Sequence, residues 1–104
     1  MMEITQGDTL PVFRGELSGV DTAGATVVPD LTTAVSIRVI GVQHGAEIFD
    51  RAPTTATSLG IVTMNWQAGD TLAVGLITVE IEVTWPLGIQ TFRGGYVNVV
   101  PQLG

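Results

Sequence analysis

Ile77-Thr78-Val79-Glu80-Ile81-Glu82-Val83-Thr84-Trp85 alternates apolar and polar residues without a break. Side chains alternate across a strand, so this spacing predicts a β-strand with Ile77, Val79, Ile81, Val83 and Trp85 on a core face and Thr78, Glu80, Glu82 and Thr84 on a solvated one. Working outward, Ile61-Val62-Thr63-Met64-Asn65-Trp66 has the same period, with Val62, Met64 and Trp66 inward. Gln67 to Asp70 turns the chain between the two, and Pro86-Leu87-Gly88 turns it again after Trp85. Ile89 to Arg93 starts a hairpin return, Gly94-Gly95 breaks or bulges it, and Tyr96 to Val100 forms the last strand before Pro101 ends pairing.

Upstream, Thr9 to Leu17 reads as a first strand, placed at a sheet border by Pro11, which cannot donate to a ladder. Ser18 to Gly24 is turn chemistry, with Asp21 able to bond its own backbone. Thr33 to Val42 reads as a second main strand with Val35, Ile37 and Val39 inward and Ser36 and Arg38 outward. Ile40 and Val42 fall on the solvated side and are expected over a second buried patch or an interface. Gly41 to Gly60 reads as a long connection around a short candidate strand, Glu47 to Arg51. About seven short strands separated by turns predict one all-β domain over residues 1–104, an antiparallel sandwich of the immunoglobulin-like kind.

Composition narrows function. Ten acidic residues face four arginines and no lysine, for a net charge of −6. Nucleic acid and anionic membranes both call for clustered positive charge, and Arg14, Arg38, Arg51 and Arg93 are scattered. Charged residues make up 13% of the chain, against about 25% in ordinary domains, and mean hydropathy is positive. A surface this poor in charge points to cover by other chains, or to solvation by Thr, Ser, Gln and Gly. Cysteine is absent, which rules out disulfides and thiolate metal sites. The opening residues lack a secretory pattern and no apolar run approaches the about 20 residues of a membrane helix, so synthesis in the cytoplasm is expected.

No residue set carries chemistry. His44 stands alone beside Gly45, without a second histidine for a metal or a nearby nucleophile. Glu80 and Glu82 would lie about 7 Å apart on one strand face, within glycosidase range. Catalytic pairs face a cleft from different elements, however, and these point out of a scaffold strand. Trp66, Trp85 and Phe92 could form a sugar-stacking platform, but their parity places them in the core. Gln6-Gly7-Asp8-Thr9 echoes Ala68-Gly69-Asp70-Thr71, which reads as two Asp-capped turns; one carboxylate per loop is too few for calcium. Catalytic residues, cofactor and metal are therefore all expected to be none.

Several segments nevertheless carry a resemblance: Ile4-Thr-Gln-Gly-Asp-Thr-Leu-Pro11, Pro29-Asp30-Leu31-Thr32, Val62-Thr-Met-Asn-Trp66, Ala68-Gly-Asp-Thr71 and Val79-Glu-Ile-Glu-Val-Thr-Trp85 with Thr91-Phe92. Together they resemble the immunoglobulin-like N-terminal domain of phage baseplate upper proteins and related tail and head accessory proteins. The resemblance spans essentially the whole chain. It implies a non-enzymatic bacteriophage virion protein that binds other virion proteins of the capsid, neck, tail or baseplate, in multiple copies or as a homo-oligomer. Family members are often the first domain of a longer chain, so a free-standing copy is expected to be a capsid-decorating or head-tail accessory subunit. Alternatives are a tail or baseplate subunit, or a carbohydrate-binding sandwich. Contacts are expected at the Thr9–Leu17 edge, the Gln43–Thr57 loop and the Tyr96–Val100 strand. Deleting Thr54 to Ser58 is expected to leave a folded monomer that binds particles poorly.

Overall fold

The computed structural model of the chain describes residues 2–20 and 22–103; Asp21, assigned above to a turn, lies outside them. Among the described residues ten strands form: β1 (Met2–Thr5), β2 (Phe13–Glu16), β3 (Gly19–Val20), β4 (Thr26–Val27), β5 (Ser36–Gln43), β6 (Ala46–Arg51), β7 (Thr55–Ala56), β8 (Ile61–Met64), β9 (Gly75–Trp85) and β10 (Gly88–Val100). The single helical element among the described residues is a 3₁₀ turn, Leu31–Thr33. Five strands make a sheet in the order β1-β10-β9-β5-β6, three make a second in the order β2-β8-β7, and β3 and β4 form a small hairpin. The protein is thus all-β and mostly antiparallel. Its larger sheet is mixed, because β1 runs parallel to β10 with Ile4 opposite Val99.

β9 is the centre of the larger sheet, and its inner row is as the alternation predicts: Ile77, Val79, Ile81 and Val83 are fully buried. Trp85 is half-buried at the strand end, where its Nε1 donates to Gln90 Oε1 at 3.1 Å. β9 and β10 pair along their whole lengths across the Pro86-Leu87 link, with one register shift between Arg93 and Gly95. That bulge is why Phe92 and Val97, five positions apart, both face the core: one extra residue resets the parity of the strand. From the smaller sheet, Phe13, Val62 and Met64 face this row, and Trp66 follows β8 into the core. Phe13 and Phe49 meet the Trp66 ring edge-on, at 6.4 and 5.7 Å between centroids. Gly41 lies opposite Phe49 in register, and any side chain there would collide with the Phe49 ring, so this position in β5 has to be glycine.

Four expectations are corrected. The first strand does not run from Thr9 to Leu17. Pro11 and its neighbours stay in a loop, β2 begins only at Phe13, and an unforeseen β1 precedes it. Ser18 to Gly24 is not all turn, since Gly19 and Val20 pair with Val27 and Thr26. Val35 does not face inward: it is 67% exposed. Its N–H bonds to Thr84 O at 2.7 Å although Ser36 is the register partner of Thr84, so the chain is kinked at the strand start and the alternation begins one residue later. Ile37 and Val39 do point in, while Ile40 and Val42 are half-buried on the outer side.

Gly41 to Gly60, fourthly, is not a long connection. Gln43 and Ala46 close a two-residue hairpin in which His44 and Gly45 both have positive φ, 53° and 78°, the requirement for a tight turn that follows strand twist. The expected strand at Glu47–Arg51 lies within β6, and Thr55–Ala56 pairs with β8 as the border of the smaller sheet. Thr57 then locks the turn into β8: its N–H donates to Ile61 O at 3.0 Å, its carbonyl accepts from Leu31 N, and its Oγ1 accepts from Ile61 N. Deletion of Thr54 to Ser58 is therefore expected to abolish cooperative unfolding, followed by circular dichroism, rather than to leave an intact monomer.

Candidate functional site

Among side chains, the best-built polar group is an ion pair that the sequence did not announce. Arg51 ends β6 at an inward position beside Phe49, and its guanidinium carbon sits 4.8 Å from the centre of the Phe49 ring. Its Nη1 and Nη2 donate to Asp70 Oδ2 and Oδ1 at 2.5 and 2.8 Å, a two-pronged pair with both side chains largely buried. Asp70 Oδ2 also accepts from Gln67 N at 2.8 Å, so the carboxylate caps its own turn while it holds the arginine. β6 belongs to the larger sheet and the 65–70 turn follows β8 of the smaller one, so this clasp ties the two sheets together. Both carboxylate oxygens are occupied. The pair is thereby satisfied within the chain and fastens β6 to the turn after β8.

Around this clasp the two echoed turns meet. Gly7 N donates to Thr71 O at 3.0 Å, Thr71 Oγ1 donates to Asp8 O at 2.8 Å, and Gln6 Nε2 donates to Leu72 O at 2.6 Å. The segment beyond Asp70 is pinned from the β5–β6 turn as well, by Gln43 Nε2 to Ala73 O at 2.8 Å and His44 Nε2 to Val74 O at 3.1 Å. The lone histidine thus fastens a loop from an exposed position, with its proton on Nε2. At the opposite end Asp30 Oδ1 accepts from Thr32 Oγ1 at 2.6 Å and Thr32 N at 3.0 Å. The Thr32 hydroxyl, then its amide, hold the Asp30 carboxyl below the usual carboxylate range. That contribution is present at neutral pH and is lost as acid protonates the group below its lowered pKa.

Glu80 and Glu82 lie on the outer face of β9, half-buried, as the alternation predicts. Register places Glu80 between Ile40 and Arg93, and Glu82 between Arg38 and Thr91. Neither arginine is committed to them: Arg38 pairs with Asp50, and Arg93 donates to the Tyr96 hydroxyl at 2.6 Å. The two carboxylates stand on the face of β9 opposite the core row. Trp66 and Phe92 are buried, which leaves Trp85 as the one member of the aromatic trio with an accessible ring edge. Among the described residues, no group of three or more His, Cys, Asp or Glu side chains is arranged to hold a metal ion.

A concavity elsewhere on the surface is small. A pocket of about 160 Å³ opens between the β3–β4 hairpin and β10, lined by Gly19, Val27, Pro29, Gln90 and Phe92. Ligand sites usually measure about 300–1,000 Å³ and carry a few convergent polar groups. This one offers a single amide side chain. Of the expected contact regions, Phe13–Glu16 is indeed the border of the smaller sheet, whereas Val97 to Val100 is covered by β1. Comparison with protein-family models, curated proteins and solved structures yields no match for this chain.

Proposed function

We propose that the chain is a non-enzymatic bacteriophage structural protein, an accessory subunit that decorates the capsid or the head-tail region and binds other virion proteins through sheet edges and exposed apolar side chains. The observation that carries this reading is the surface. Leu10, Val35, Leu59, Leu72, Leu87, Ile89 and Leu103 all expose most of their area on a chain with no lysine. Exposed apolar side chains on a charge-poor surface favour cover by partners where they gather into patches. The sequence resemblance supplies the kind of partner. Of the segments that carry it, one Gly-Asp-Thr turn leads out of β1, the other approaches β9, and Asp30-Leu31-Thr32 caps the turn ahead of β5.

The finer fold reading, an immunoglobulin-like sandwich, belongs to the same proposal. What supports it is a sheet in which the last strand lies between the first and the penultimate, facing a three-stranded sheet, with β6 as an added border strand. Tail or baseplate placement remains the second virion reading. A sugar binder is the contrasting class, and it rests on Trp85. Mass spectrometry of purified particles is the test: the chain should appear at high copy number, whereas a sugar binder should give glycan-array signal that Trp85→Ala abolishes. Absence from the particles would overturn the virion assignment.

A further inference from the structure

We propose that the border of β10 between Ile89 and Arg93 pairs, antiparallel, with the same border of a second copy of this chain about a two-fold axis at Thr91. This does not depend on the virion reading. β10 is 13 residues long and β9 covers one side of it. On the other side β1 covers Val97 to Val100, and at the bulge the Gly94 carbonyl faces Gly15 of β2. From Gly88 to Arg93 no strand of the described residues pairs with that side.

The phase of the exposed groups follows from the ladder. The Thr84 carbonyl turns toward β5, where it accepts from Val35 N, and Thr84 is the register partner of Ile89. Opposed residues in an antiparallel pair turn their backbone groups the same way relative to the pair, inward or outward. Ile89, and with it Thr91 and Arg93, therefore aim amide and carbonyl away from β9. Proteins ordinarily guard such a border with charge, proline or a covering loop. Gly88-Ile89-Gln90-Thr91-Phe92 contains neither charge nor proline, and beside it Leu87 is fully exposed and Ile89 68% exposed.

The register centred on Thr91 closes the most backbone pairings between two copies of this border. With Thr91 opposite Thr91 of the second copy, Ile89 falls opposite Arg93 and Arg93 opposite Ile89, and each of these pairings closes two backbone hydrogen bonds. Centring on Gln90 or Phe92 would close two such pairings instead of three, centring on Arg93 would set two guanidinium groups against each other, and centring on Ile89 would run off the strand end. The Thr91 register opposes no like charges. Gln90 and Phe92 would meet Phe92 and Gln90 of the second copy on the inner face, over the mouth of the pocket that those two residues line. Such pairing is self-complementary and closed, so it stops at two copies.

The absence of cysteine makes the test direct. Thr91→Cys would place two thiols at the axis with Cα atoms about 5.5 Å apart, inside the about 4.4–6.8 Å that a disulfide spans. Wild-type chain should sediment at twice the 10.9 kDa of one copy. Mild oxidation should convert Thr91→Cys to a covalent dimer, while Ser36→Cys, exposed two strands away on β5, stays uncross-linked. Thr91→Pro, which removes an N–H that faces away from β9, should keep a cooperative melt and sediment at half the wild-type mass. A wild-type chain that sediments as a single copy, or cross-linking of Ser36→Cys as fast as Thr91→Cys, would overturn the proposal. If Thr91→Pro failed to fold, the cysteine comparison alone would decide.

Discussion

Ile81→Asp is expected to leave the chain unfolded, with no cooperative transition in circular dichroism and no dispersed amide spectrum. Ile81 is fully buried at the middle of β9, between Val39 of β5 and Phe92 of β10. The substitution removes about 2–5 kcal/mol of packing. It also places a carboxylate where no cation is within reach, and an unpaired buried charge costs several kcal/mol more even after relaxation. Together these approach the about 5–15 kcal/mol net stability of a whole domain. Glu82, one residue on, is half-buried on the open face, and Arg38 beside it is engaged by Asp50. Glu82→Gln should therefore shift the melting free energy by less than about 0.5 kcal/mol. A soluble, cooperatively melting Ile81→Asp chain would mean that the two faces of β9 are reversed.

Arg51→Ala is expected to lower unfolding free energy in urea by about 3–5 kcal/mol, the cost of leaving one member of a buried pair without the other. The loss comes chiefly from Asp70, whose side chain is 7% exposed and would retain only the Gln67 amide as donor. Arg51→Lys should recover little of it, because a single ammonium cannot reproduce the two-pronged contact or lie flat on Phe49. Arg51→Met combined with Asp70→Leu should be milder than either single change, since an apolar pair of similar volume replaces a desolvated ionic one. If all these variants melted within about 0.5 kcal/mol of wild type, the clasp between the sheets would be a surface contact of ordinary worth.

The centre of this fold is legible in the sequence, and its borders are not, for a physical reason. Ile77 to Trp85 and Ile61 to Trp66 are long enough for period two to be unmistakable, and each has one dry face. β1 is four residues with one fully buried side chain, Ile4, so its alternation has no statistical weight; it is a strand because β10 offers it a parallel partner. Glu47 to Arg51 read as a short strand, but its hairpin to β5 and the strand β7 were hidden by the opposite problem. His44-Gly45 is not among the usual hairpin dipeptides, and Pro53 and the threonine run look like loop composition. Arg51 and Asp70 were both visible as isolated charges. Nothing local links residues on two sheets, although Arg51 shares the inward parity of Phe49, and that parity was the one available signal. The bulge at Gly94-Gly95 was foreseen from the glycine pair, and it decides where the open border of β10 ends.

Glu80 and Glu82 entered as the nearest approach to an acid pair and stand as the outer face of a scaffold strand. Asp70 and Arg51 satisfy each other, and the pocket between the β3–β4 hairpin and β10 is lined by no titratable side chain. What the chain presents is exposed apolar side chains and open strand borders, with little charge. Contacts made from such material should depend weakly on ionic strength, because the Debye length at about 1 M salt is only about 3 Å and screening acts on charges, not on apolar burial or backbone pairing. The most direct test of the virion role proposed above is to add purified chain to phage particles of the proposed source and measure the bound copies per particle after a wash in about 1 M salt. A fixed, saturable copy number that survives the wash is the predicted result. Binding that never saturates, or that is stripped by salt, would contradict the account.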